Sequence, residues 1–227
     1  AVDLVVVLGP DDVDAGAVVA MTDLRPRAKL AASIKALGKQ AKQVRFVLGR
    51  HQMQDFRVND LIVVNPAVPR ESPYLAAARR AGREVTNDAR IFLNEFDGPL
   101  IAVTGTRGKT TTVNWTAHLM RGAFPGLLAG GNSSADMPLL KLLNESSCII
   151  PAVVELSSWQ LELVPGAKRA PDIAIITNLY PDHLNRYRGI RAYARAKANI
   201  FLGQTFNQAL ILSADDAWTP FFLKQKP

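Results

Sequence analysis

Leu100-Ile101-Ala102-Val103-Thr104-Gly105-Thr106-Arg107-Gly108-Lys109-Thr110-Thr111-Thr112 is the stretch on which the reading of the whole chain turns. An apolar run stops at Gly105, a glycine-punctuated turn follows, and Lys109-Thr110 opens a helical segment. That order is strand, loop, helix. Glycines let backbone N–H groups close around an anion, and the new helix aims the positive end of its dipole at the same spot. Lys109 adds a full charge there, and Thr110 offers a hydroxyl to Mg²⁺. The common nucleotide loop carries a glycine five residues before its Gly-Lys pair. Here that position is Val103, so the loop is the tighter Gly-x-x-Gly-Lys-Thr. An ordinary glycine turn is the simpler alternative, but the Lys-Thr pair argues for a nucleotide phosphate.

The surroundings agree with a folded, ligand-binding protein. At 227 residues and 48% hydrophobic content the chain has room for one large or two small domains, each with a core. Charged residues make up 21% and no segment is of low complexity, which excludes a mainly disordered chain. The formal net charge is +7. The basic residues are scattered and lack interleaved aromatics, so nucleic acid is not the expected partner. A surface that attracts nucleotides and other small anions accounts for the balance, as does the loss of an acidic segment. The single cysteine, Cys148, lies beside Ile149 and Ile150 and reads as a buried core thiol. No stretch has the length and apolarity to span a bilayer and no signal peptide opens the chain, so a cytoplasmic protein without a membrane partner is expected. The chain starts without Met and ends on Phe221-Phe222-Leu223-Lys224-Gln225-Lys226-Pro227, which reads as a piece of something longer.

Strand and helix alternate throughout, the pattern of an α/β fold with a mostly parallel sheet. Short strands are expected at 4–8, 17–21, 44–48 and 61–64, with the first link too short and too acidic for a crossover helix. Leu30, Ile34 and Leu37 repeat at helical spacing, and Lys29, Lys35, Lys39 and Lys42 form a solvated face. Helices follow at 74–80, after Ser72-Pro73, and at 89–96, and Asp97-Gly98-Pro99 marks a domain boundary. The domains are therefore 1–97 and 98–227. In the second, a helix carries Val113, Trp115, Leu119 and Met120, with His118 in a structural role. The run Leu127-Leu128-Ala129-Gly130-Gly131-Asn132 reads as a loop, and strands are expected at 148–156, 172–177 and 209–212.

Ligands of open α/β sheets gather at the carboxyl ends of parallel strands. Those ends deliver Lys109 and Thr110 from one strand, Glu155 from another, and Asn178, Asp182 and His183 from a third. A carboxylate and an imidazole beside a triphosphate suit a Mg²⁺ site, the imidazole being the less usual member of an oxygen-rich shell.

Three motifs then carry a resemblance. Gly105-Thr106-Arg107-Gly108-Lys109-Thr110-Thr111, Glu155-Leu156-Ser157-Ser158-Trp159-Gln160-Leu161-Glu162 and Asn178-Leu179-Tyr180-Pro181-Asp182-His183-Leu184-Asn185-Arg186-Tyr187 resemble, in this order, motifs of the Mur ligases. The second motif and Gly130-Gly131-Asn132 look most like the members that add D-glutamate. The resemblance implies a Rossmann-like domain for the UDP end of the substrate, followed by the ATP-binding central domain, incomplete at its C-terminus. It implies an ATP-dependent amide ligase of peptidoglycan synthesis, expected to be a monomer, that joins D-glutamate to UDP-N-acetylmuramoyl-L-alanine through an acyl phosphate. Residues 105–111 would cradle ATP, with Lys109 on its β- and γ-phosphates. Thr110 and Glu155 would hold one Mg²⁺ and His183 a second. In the family a lysine at the place of Lys197 is carbamylated and serves that second ion. Asn132, Ser157 and Gln160 would face substrate, and Asp23-Leu24-Arg25 matches an acidic-x-Arg uracil contact, helix capping by Asp23 being the alternative. Two departures stand out: Gly9-Pro10-Asp11-Asp12 replaces a glycine-rich turn, and Arg107 replaces the more usual Asn. Another Mur-type or folylpolyglutamate-type ligase, and a nucleotide-binding module that never ligates, remain open alternatives.

Overall fold

A computed structural model describes residues 5–8, 18–132, 137–145 and 149–225, so Cys148 and Gly9-Pro10-Asp11-Asp12 lie outside the described residues. The chain divides into two compact units, Ala1–Asn87 and Asp88–Pro227.

In the first unit the elements run β1 (Val5–Leu8), β2 (Val19–Asp23), α1 (Arg27–Ala36), a 3-10 helix (Gly38–Gln43), β3 (Val44–Leu48), α2 (Asp55–Val58), β4 (Leu61–Val64), α3 (Pro73–Arg80) and β5 (Glu84–Thr86). The sheet order is β3-β2-β1-β4-β5, a doubly wound order. Its central strand departs from a parallel sheet. β1 runs antiparallel to both β2 and β4, while β2–β3 and β4–β5 are parallel. The short link after Leu8 explains the reversal, because a parallel return needs a crossover of about a dozen residues or more. Phe56, Ile62, Leu75 and Ala78 are buried in this unit, and Leu30 is the one buried residue of α1. Lys29, Lys35, Lys39 and Lys42 are all exposed, as their placement on the helical wheel predicts.

The second unit runs α4 (Asp88–Glu95), β6 (Leu100–Thr104), α5 (Lys109–Met120), β7 (Leu128–Gly131), α6 (Leu139–Leu143), β8 (Ala152–Glu155), α7 (Ser158–Leu161), β9 (Ile173–Ile176), α8 (Ile190–Ala198), β10 (Ala209–Leu212) and α9 (Thr219–Leu223). The sheet order is β10-β9-β6-β8-β7 and every pairing is parallel. From β6 the chain passes first to the edge strand β7, comes back inward to β8 beside β6, then crosses to the other side of β6 for β9 and β10. β6 is therefore the switch point, beside which a crevice opens at the carboxyl ends.

Both faces of this sheet are covered, as an all-parallel sheet requires. One cluster joins Ala102, Val154 and Ala174 to Phe92, Phe96, Leu161 and Tyr193. The other packs Val103 and Val153 against Val113 and Ala117 of α5. Only that narrow stripe of α5 faces inward, so Trp115 and Leu119 are exposed.

Two sequence expectations need correction. The run 127–132, expected as a loop, contains β7, the strand at the edge of the sheet. At Gly131, with φ +132°, a Cβ would collide with the backbone of Glu155, so this strand is written in glycine by its neighbour. The boundary expected after residue 97 lies before Asp88, because α4 buries Ala89, Phe92 and Leu93 in the core of the second unit. Among the described residues no helix is long and apolar enough to cross a membrane.

Candidate functional site

The loop after β6 is held open by the strand beside it. Gly105 has φ +150°, and a Cβ there would strike the Thr177 hydroxyl at the end of β9. The Thr106 N–H donates to the Asn178 carbonyl (3.0 Å), and Tyr180 N–H donates to Thr106 Oγ1 (3.0 Å). Arg107 is gripped from both sides. Its N–H donates to Asn178 Oδ1 (2.9 Å), and its carbonyl accepts from Thr177 Oγ1 (2.7 Å) and Asn178 Nδ2 (3.1 Å). Gly108 then caps α5 without a side-chain bond, which leaves the first N–H groups of the helix without partners inside it. Lys109 Nζ curls back to the Thr106 carbonyl at 3.1 Å.

Opposite the loop lies the end of β8. The Thr110 hydroxyl donates to Glu155 Oε2 at 2.6 Å, and Asn132 Nδ2 reaches Glu155 Oε1 at 3.4 Å. Glu155 is only 3% exposed, so this carboxylate is a fixed, nearly dry acceptor. A hydroxyl and a carboxylate are the oxygen donors that Mg²⁺ takes, and Mg²⁺ commonly keeps several waters and accepts phosphate oxygens besides one or two carboxylates. The pair fits such an ion. Among the described residues no group of three His, Cys, Asp or Glu side chains stands ready for a metal, so phosphate oxygens and water would have to complete the shell.

Lys197 is the most buried cation of the site at 1% exposure. Its ammonium donates to the Gly105 carbonyl (2.7 Å) and to Thr104 Oγ1 (3.4 Å), and it lies 4.6 Å from the centre of the Tyr193 ring. Burial, reinforced by the Lys109 charge and only partly opposed by Asp182 and Glu155, pulls this amine down to about 7. Tyr193, one helical turn earlier on α8, also reaches Thr106 Oγ1 (3.4 Å) and meets the His183 ring edge-on at 6.0 Å. His183 itself is exposed and has φ +52°. A left-handed backbone at a residue other than glycine is uncommon and tends to cluster at functional sites. Its ring packs 5.2 Å from Trp159, whose indole also carries the Arg186 guanidinium at 4.6 Å. Arg186 in turn pairs with the buried Glu162 at 2.9 Å.

Lys109, Thr110, Glu155, His183 and Lys197 thus come from strand ends and from α8 to one side of a single sheet. Sequence reading assigned no role to Tyr193 or Trp159. The four-residue step from Tyr193 to Lys197, which stacks two side chains on one helix face, was the available signal. Ser157 and Gln160 are engaged in structure. They form the capping box of α7, with Gln160 N–H on Ser157 Oγ (3.2 Å) and Ser157 N–H on Gln160 Oε1 (2.9 Å). Gln160 Nε2 also donates to Asp88 Oδ2 at 2.8 Å.

In the first unit, Asp23 does not cap α1, whose N-cap is Pro26. Its carboxylate is fully buried and takes a forked pair from Arg25, through Nη2 to Oδ2 (2.7 Å) and Nε to Oδ1 (3.0 Å), with the Arg25 N–H on Oδ1 (2.7 Å). Burial by itself would raise this carboxyl, but the hydrogen bonds and charge of Arg25, aided by His51, hold it below the usual range.

Comparison with known proteins accords with this geometry. Residues 103–227 match the family model of the Mur ligase middle domain. Over 201 residues the chain is 40% identical to the UDP-N-acetylmuramoylalanine--D-glutamate ligase of Geobacter metallireducens, covering 88% of this chain and 43% of that protein. The ligase of the same name from a Roseiflexus species is 42% identical over 200 residues, covering 88% and 42%. The chain therefore spans less than half the length of these relatives. In three dimensions it is similar to the UDP-N-acetylmuramate:L-alanyl-gamma-D-glutamyl-meso-diaminopimelate ligase from Neisseria meningitides, with a TM-score of 0.55 at 16% identity over 91% of this chain and 67% of that one. That likeness is one of fold. With more than half of its residues matched to the family model and its phosphate loop facing a buried carboxylate, the chain belongs to the Mur ligase family.

Proposed function

We propose that this chain carries the nucleotide-binding part of an ATP-dependent amide ligase that joins D-glutamate to UDP-N-acetylmuramoyl-L-alanine in peptidoglycan synthesis. The observation that carries the reading is the 2.6 Å contact between Thr110, at the start of the loop helix, and the buried Glu155 on the facing strand. The names of the relatives supply the two substrates. A carboxylate has no usable leaving group until it is phosphorylated. The γ-phosphoryl group of ATP passes to the carboxylate of the alanyl substrate and ADP departs. The amine of D-glutamate attacks the acyl carbon, and the tetrahedral intermediate expels phosphate as the amide forms.

Each residue has a defined task. The N–H groups at the start of α5 and the Lys109 ammonium offset phosphate charge. Thr110 and Glu155 would hold a nucleotide-side Mg²⁺, and His183 with a modified Lys197 a second. Such ions, when bound, neutralise charge between two anionic reactants. An ammonium has no lone pair to give a metal. An amine held near 7 is partly neutral at physiological pH. Its nitrogen can add to the carbon of CO₂ and release one proton to solvent, leaving a carbamate with anionic oxygens. Asp23 and Arg25 would meet the UDP end, and Asn132 the substrate beside Glu155. These soluble substrates imply a cytoplasmic enzyme, acting as a monomer.

The test is ligation by the full-length protein with ATP, Mg²⁺, UDP-N-acetylmuramoyl-L-alanine and D-glutamate. Wild type forms the amide, and Lys197→Ala loses ligation while keeping its ATP affinity. Formate or acetate at high concentration then restores part of the rate by supplying carboxylate oxygens. Near-normal turnover in the variant removes the carbamate from the mechanism. Absence of amide formation by wild type sinks the ligase reading in favour of a binding module.

A further inference from the structure

A phosphate loop can present an anion with backbone N–H groups or with side chains, and at Arg107 the first route is closed. Its N–H is bound to Asn178 Oδ1 at 2.9 Å, and the preceding N–H, of Thr106, is bound to the Asn178 carbonyl at 3.0 Å. The amides left to face a phosphate therefore begin at Gly108 and continue into the first turn of α5. The Arg107 carbonyl is fixed as well, by Thr177 Oγ1 and Asn178 Nδ2. This residue has its backbone pinned on both sides. Its side chain, by contrast, is exposed, and among the described residues the guanidinium has no hydrogen bond, ion pair or ring contact.

The Arg107 backbone is pinned next to the phosphate-facing amides, while its cationic fork is exposed and left for a ligand. Phosphates seated on the N–H groups of α5, with Lys109 beside them, occupy the floor of the loop. Several bonds separate the guanidinium from its own backbone, so an exposed arginine at this position has the length to meet a phosphoryl group beyond those the amides hold. It offers paired donors that match phosphoryl oxygens. We propose that Arg107 is the residue by which this loop distinguishes a triphosphate from a diphosphate, its guanidinium binding the terminal phosphoryl group. The inference rests on the phosphate-loop reading above and adds a task for a side chain that the loop's hydrogen-bond frame leaves free.

The experiment uses this chain with inorganic tripolyphosphate and pyrophosphate as probes, titrated calorimetrically at fixed Mg²⁺, with circular dichroism as the check on folding. Arg107→Gln should lower tripolyphosphate affinity about ten-fold, the effect of losing one charge-assisted contact, and leave pyrophosphate within about two-fold. Arg107→Lys should recover part of the loss, since it returns the charge without the fork. Equal losses for both probes, or no loss for either, overturn the assignment and leave Arg107 as a solvated surface residue. Lys109→Ala separates the two levels of the argument. It should weaken both probes, and if it weakens neither, or if wild type binds neither, the phosphate-loop reading itself fails.

Discussion

Lys197 concentrates the chemistry of the second unit at one atom. Its ammonium lies under the loop, bonded to the Gly105 carbonyl and stacked on Tyr193, at a position where a charge is poorly solvated. The unmodified amine is held near 7 in the fold, against about 10.4 in an unfolded chain. Between those values the unfolded chain binds one more proton than the folded one, so stability climbs as pH rises through this window. Below about 7 the ammonium is charged in both states and the cost of its burial is fully present. Above about 10.4 both states are neutral and the climb ends. The whole span has an upper bound of about 5 kcal/mol. Lys197→Met removes the titration, so the stability of wild type relative to the variant should grow between pH 7 and 10 in CO₂-free buffer. Denaturant unfolding at several pH values measures it. Parallel profiles for the two proteins would mean that Lys197 is solvated like any surface lysine.

At the scale of elements, α7 shows how a four-residue helix is made to stay. It is too short for propensity to hold it, and the capping box between Ser157 and Gln160 supplies what length does not. Ser157→Ala should cost about 1 kcal/mol in urea unfolding. Gln160→Ala should cost more, because it also strips the partner from Asp88, a carboxyl that burial already pushes up. Equal costs would mean that the Asp88 contact contributes nothing. The pattern Ser-x-x-Gln could have shown the box, but the resemblance turned both residues toward substrate; the elements whose ends are marked by composition were legible. The strands at 44–48, 61–64 and 209–212 match β3, β4 and β10 to the residue, each a mainly apolar segment, broken only by Arg45 in β3, with a polar or glycine stop. β7 was not legible, since Leu128-Ala129-Gly130-Gly131 has no β-branched residue and its glycines answer to the approach of Glu155. β5 is too short to show a period, and the direction of β1 is a property of pairing that periodicity does not carry. The site follows the same rule. Lys109, Thr110 and Glu155 can be read because each follows an apolar run to its end. The ring of Trp159 gains its meaning only from His183, which tertiary folding brings to it, whereas Tyr193 meets Lys197 along one helix and only its contact with His183 needs the fold.

For the whole molecule, the decisive question is which unit owns α4. A boundary at Asp97-Gly98-Pro99 is what turn-forming residues suggest, yet the packing assigns the preceding helix to the phosphate-loop unit. Phe92 and Phe96 stack at 4.9 Å and are fully buried, and Ala89 and Leu93 join them. Polar contacts continue the seam. The Arg169 guanidinium donates to the carbonyls of Phe96 (3.0 Å) and Gly98 (2.8 Å) and pairs with Asp172 (2.7 Å), whose carboxylate accepts the Leu100 N–H (2.8 Å). Lys168 N–H is bound to Asn94 Oδ1 at 2.9 Å. Removing one buried phenylalanine side chain costs about 3–5 kcal/mol, and a whole domain is stable by about 5–15 kcal/mol. Loss of two phenylalanines and a leucine together therefore consumes most or all of that stability. A fragment of residues 88–227 should accordingly unfold cooperatively in denaturant, while one of residues 98–227 should show a shallow, early transition and expose apolar surface to a hydrophobic dye. Phe92→Ala within the longer fragment should fall between the two. If the shorter fragment matches the longer in midpoint and slope, α4 is an accessory of the fold, and the boundary belongs at the Asp-Gly-Pro turn after all.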